Sequence, residues 1–113
     1  MPEAPALILR NETLSFEALN DRVGRLAAWL ARQVPEKGAR VATWLAKTEL
    51  ACLMPLAAVR AGLVHVPVNP LLKRAQVAHI LADSGAQLLI SNKARLDTLE
   101  PGDAGQATLF EEA

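Results

Sequence analysis

Residues 39–70 read ARVATWLAKTELACLMPLAAVRAGLVHVPVNP. Residues 40–45 are apolar at nearly every position and carry Val41, Thr43 and Trp44, the pattern of a strand covered on both faces. Thr48 stands where a side-chain oxygen caps a helix, and Arg60-Ala61-Gly62 stops that helix with a residue free to turn left-handed. Residues 63–67 then form a second apolar strand, closed by Pro67 and Pro70. Strand, helix and strand within about thirty residues make a βαβ unit, which joins parallel strands. Pro55 is awkward inside it: the ring removes a hydrogen bond and clashes with the preceding turn, so a kink or a late helix start is expected.

Upstream, residues 5–15 hold two short apolar runs around the polar pair Asn11-Glu12, which reads as a tight β-hairpin. Ser15 caps the next helix, with Glu17 at its positive end. Phe16, Leu19, Val23, Leu26, Ala27, Leu30 and Val34 recur at spacings of three and four and gather into one stripe, while Glu17, Asp21, Arg25 and Arg32 fall opposite. Pro35 and Gly38 end that helix.

Downstream, residues 73–83 predict a third helix with Val77, Ile80 and Leu81 inward and Ser84-Gly85 as its stop. Residues 87–90 predict a third strand, and Asn92 caps a short helix reaching Leu99. Gly, Ala and acids dominate residues 101–113, which are expected to stay unordered. The alternation after the hairpin predicts an α/β fold, a small parallel sheet flanked by helices, and three strands make it part of a larger sheet.

Composition narrows the function. The 113 residues suit one domain or a piece of one, and 51% hydrophobic residues against 21% charged is globular. Twelve basic side chains balance twelve acidic ones, leaving no positive field to gather nucleic acid or anionic lipid. The single cysteine, Cys52, makes neither an internal disulfide nor a Cys-rich metal site, and no secretory signal is visible at the start, so the cytoplasm is the expected location. Arg60, His65, Pro55 and Pro67 interrupt residues 50–68, which read as a buried helix and strand rather than a membrane span.

The glycines stand at 24, 38, 62, 85, 102 and 105, so neither G-x-G-x-x-G nor G-x-x-x-x-G-K-S/T is present to cradle phosphates. His65 and His79 lack the further ligands of a metal site; His65 is expected to pack in or beside the sheet and His79 on a helix surface. Cys52 lies in an apolar helix, where burial makes a thiol inert. Lys47, Lys73, Arg74 and Lys93 are the cations placed at loops or helix starts where an anion could be met, although solvated charge is the plainer reading. Trp44 is expected in the core, and Trp29, off the main stripe, marks a contact with a neighbouring segment.

Four stretches in order resemble the N-terminal region of the AMP-forming acyl ligases, the acyl-CoA synthetases, luciferases and peptide-synthetase adenylation domains. They are Leu14-Ser15-Phe16-Glu17-Ala18-Leu19, Lys37-Gly38-Ala39-Arg40-Val41-Ala42, Arg60-Ala61-Gly62-Leu63-Val64-His65-Val66-Pro67-Val68-Asn69-Pro70, and Ile80 to Ala86 with Leu88-Leu89-Ile90. The segments "NPLLK" and "QVAHIL" look most like the bacterial acyl-CoA ligases associated with exosortase and exopolysaccharide clusters. Ala39, His65 and Pro55 depart from the family pattern.

The resemblance implies that residues 1–100 are part of the larger N-terminal domain of the adenylate-forming fold. It implies a two-step reaction, in which a carboxylate attacks ATP to give an acyl-adenylate and pyrophosphate, and coenzyme A then takes the acyl group. Mg²⁺, ATP and coenzyme A belong to the full-length family; its phosphate loop, Mg²⁺ acid, ribose-binding Asp and C-terminal lysine have no counterpart here. No catalytic, cofactor-binding or metal residue is therefore assigned, and the fragment is expected to be inactive alone, partnered by the remainder of the ligase or a full-length homologue. The competing reading is a stand-alone interaction module that self-associates through an exposed sheet edge.

Overall fold

The computed structural model describes residues 5–8 and 13–112. Strands β1 (Pro5–Ile8) and β2 (Thr13–Ser15) pair antiparallel, as a hairpin requires. The expected turn at Asn11-Glu12 lies outside the described residues. Ser15 then caps α1 (Phe16–Gln33), its Oγ accepting from the Ala18 amide at 3.1 Å.

The rest alternates: β3 (Arg40–Trp44), α2 (Glu49–Arg60), β4 (Val64–Val68), α3 (Arg74–Ser84), β5 (Leu88–Ser91), α4 (Lys93–Leu96) and β6 (Thr108–Glu111). Strands β3 to β6 form one parallel sheet in the order β4-β3-β5-β6. Period-two alternation sorts the side chains into two cores. Val41, Leu88 and Ile90 pack with Val23 and Leu30 of α1 and Leu53, Met54 and Ala57 of α2. On the other face Ala42, Trp44 and Leu89 pack with Val77 and Leu81 of α3.

Two expectations are corrected and a third is narrowed. The tail beyond Pro101 is not unordered: Thr108–Glu111 adds a fourth strand beside β5, with the Thr108 amide donating to the Gln87 carbonyl at 2.9 Å and Glu112 to Ser91 at 2.8 Å. Averaging composition over the segment hid the short Thr108-Leu109-Phe110 run, whose backbone groups are satisfied by the open edge of β5. Next, α2 starts at Glu49 and runs through Pro55 as one helix, so the start is not late. Pro55 is exposed, where the carbonyls of a helix can tilt toward water to accommodate the ring. Finally, β4 is not buried throughout: it is an edge strand with Val64 47% exposed.

That edge is blunted. The Val64 amide donates to the Ala39 carbonyl, so in a parallel ladder the backbone groups of Val66 and Val68 also point to β3 while those of His65 and Pro67 point to the outer edge. Pro67 has no N–H to offer a further strand, which is where a sheet tolerates proline.

Candidate functional site

In open α/β sheets ligands meet the protein beyond the carboxyl ends of the strands, where the connections diverge to either side. Here the chain goes from β3 out to β4 and returns across the sheet to β5, so the divergence lies between β3 and β5. The crevice is bounded by Trp44 and the loop to Thr48 on one side, and by Ser91 and Asn92 on the other.

Side chains tie the walls of this crevice together. Ser91, fully buried, donates its hydroxyl to the Trp44 carbonyl and ties the two strand ends together. Thr48 Oγ1 accepts from the Ala51 amide at 3.3 Å, capping α2, and donates to Glu112 Oε2 at 2.9 Å. Asn92 Oδ1 caps α4 by accepting from the Arg95 amide at 2.8 Å. Glu49 opens α2 and is ion-paired with Arg22. The positive end of α2 thus faces two carboxylates, Glu49 and Glu112, and a phosphate brought there would meet like charge. The residues present do not fit a nucleotide phosphate, and no step of nucleotide chemistry is assigned to them.

The cations singled out in the sequence are dispersed. Arg74 is engaged by Asp103, with Nε and Nη2 donating to its two oxygens at 2.8 and 2.9 Å, and pairs with Glu100 at 3.1 Å. This fork holds the Asp103 carboxyl below its usual range and raises the guanidinium further. Lys93 is paired with Asp97 at 3.1 Å, which raises its ammonium pKa. Lys47 and Lys73 are exposed on separate loops. The fork also pins the connection leading into β6, a structural role that spacing alone does not reveal.

His65 sits half-buried on β4 with Nε2 2.7 Å from Thr43 Oγ1, beside the sheet as expected, and burial lowers its pKa. His79 is exposed on α3, and Cys52 is half-buried on α2. Among the described residues no group of three or more His, Cys, Asp or Glu is placed to hold a metal ion. Among the described residues no helix is long and apolar enough to cross a membrane. Trp44 fills the core at 3% exposure, with Nε1 lacking a hydrogen-bond partner. Trp29 meets Phe110 of β6 edge-on, ring centroids 4.6 Å apart, so the neighbouring segment it marks lies within this chain.

The profile of the AMP-binding enzyme family matches residues 1–111. Surfactin synthase subunit 3 of Bacillus subtilis is 32% identical over 81% of this chain and 7% of its own length. The L-proline–[L-prolyl-carrier protein] ligase of Pseudomonas fluorescens is 34% identical over 87% of this chain and 20% of its own. The crystal structure of apo MatB from Rhodopseudomonas palustris superposes with a TM-score of 0.86 at 26% identity, covering 96% of this chain and 22% of that one. The chain therefore spans less than a quarter of the length of each of these proteins. Its matched residues, strand order and close superposition place it in the AMP-binding enzyme family of adenylate-forming synthetases and ligases.

Proposed function

We propose that this chain is the N-terminal part of an AMP-forming ligase that activates a carboxylic acid as its adenylate and passes the acyl group to a thiol. The observation that carries this reading is the conjunction of a family match over residues 1–111 with a crevice that is lined by carboxylates where a sheet of this order would take a ligand. Membership supplies the reaction class; the crevice argues that ATP and Mg²⁺ are bound by polypeptide beyond these residues. The chain's contribution is a rigid layered platform, two cores on one sheet, against which that polypeptide packs.

The acyl acceptor is coenzyme A or a carrier-protein thiol. The first is implied by the resemblance to acyl-CoA ligases. The second is supported by peptide synthetases and a carrier-protein ligase among the relatives. Titration calorimetry of the 113-residue chain with ATP and Mg²⁺, beside a pyrophosphate-release assay over carboxylic acids with coenzyme A, tests the assignment. Silence in both is expected. Saturable ATP binding or acid-dependent pyrophosphate release would show that the chain itself carries the chemistry.

A further inference from the structure

Every residue of α2 from 50 to 59 is apolar, with charge only at Glu49 and Arg60. A helix apolar all round belongs inside a protein, covered on every side. Here only one side is covered: Leu53, Met54, Ala57 and Ala58 are buried, while Leu56 is 53% and Val59 75% exposed. Phe16, 52% exposed, joins them across a recess between α1 and α2. Val59 also lines a second recess that runs past Val64 to Pro67 on the blunted edge of β4. The result is one continuous apolar surface, the kind that marks a contact with another protein segment.

We infer that this outer face of α2, with Phe16 and the β4 edge, is the surface on which the remainder of the ligase packs; the inference rests on the proposed function above. The occupant follows from two observations. The unit keeps its conformation at a TM-score of 0.86 inside a MatB chain of which it covers 22%, so most of that body lies outside it. Pro67 offers no N–H to a further strand beside β4, so a cover on this side relies on side chains more than on backbone pairing. The contact is therefore apolar packing, centred on Leu56 and Val59.

The test uses the 113-residue chain and, as probe, the R. palustris MatB polypeptide lacking the stretch this chain matches. Leu56→Lys with Val59→Lys is expected to weaken binding about tenfold or more. Leu71→Lys, at an 82% exposed position outside this surface, should leave binding unchanged. Unchanged melting temperatures confirm that the variants fold, and Val59→Lys alone serves if the double variant does not. Wild-type binding that ignores the α2 substitutions, or no binding by the wild type, overturns the interface; the ligase reading stands or falls by the calorimetry and pyrophosphate assay above. Sedimentation of the wild type as a dimer that Val59→Lys dissolves would assign the face to a second copy instead.

Discussion

Thr43 Oγ1 and His65 Nε2 lie 2.7 Å apart, joining the central strand β3 to the edge strand β4 on the face that α2 covers. Burial lowers the imidazole pKa from its ordinary 6.5, so the folded chain holds fewer protons than the unfolded one between the two values. Stability is then complete above 6.5 and declines as pH falls through the folded value. Urea midpoints measured from about pH 8 down to about pH 5 should fall for the wild type and flatten for His65→Gln. Equal slopes in the two proteins would show that His65 does not report folding.

Phe110 is the aromatic anchor of β6. Its edge-on contact with Trp29 at 4.6 Å is the kind of pair worth about 1 kcal/mol beyond area burial. Phe110→Ala is expected to cost about 1–2 kcal/mol in urea unfolding. The emission of Trp29 should also shift to the red as water reaches the indole. A variant with unchanged emission would mean that β6 does not lie against α1.

Most of the layered fold was legible because its signals are local. Ser15, Thr48 and Asn92 cap helices where an oxygen is offered to a free amide. Gly85 ends α3 left-handed, and the apolar runs at Val41 and Leu88 read as strands from their continuity. What escaped was non-local. Whether β4 lies at an edge or inside depends on strand order, and β6 exists because β5 offers it a ladder, Arg74 holds Asp103 and Trp29 holds Phe110. The crevice between β3 and β5 was illegible for the same reason: Ser91, Thr48 and Glu112 converge only once four strands are ordered.

Gly85 sits at φ +66°, and a Cβ built there meets only Gln106 Nε2 at an ordinary 3.6 Å. The cost of a side chain is therefore conformational rather than steric. Gly85→Ala should lower stability by about 1–2 kcal/mol. Gln106 donates to the Gly85 carbonyl at 2.7 Å, so a shift of that carbonyl should also loosen the approach to β6. Chemical denaturation, with amide exchange at Thr108 as local readout, checks both effects. An unchanged midpoint would mean that the helix end relaxes without the left-handed turn.

Pro55 offers the opposite sign. It lies inside α2 at an exposed position, so its ring gains little from burial while its missing N–H leaves the Ala51 carbonyl without its usual helical donor. Proline in a helix interior is about 3 kcal/mol worse than alanine before any adjustment, and alanine loses no left-handed or cis geometry here, since the chain has no cis peptide among the described residues. Pro55→Ala should therefore stabilise the chain by about 1–3 kcal/mol, read as a higher urea midpoint with an unchanged slope. A destabilised variant would mean that the ring is held by contacts that its exposure does not suggest. Because Pro55 lines the same recess as Val59, its removal should also alter binding of the MatB remainder less than Val59→Lys does, separating helix stability from interface packing.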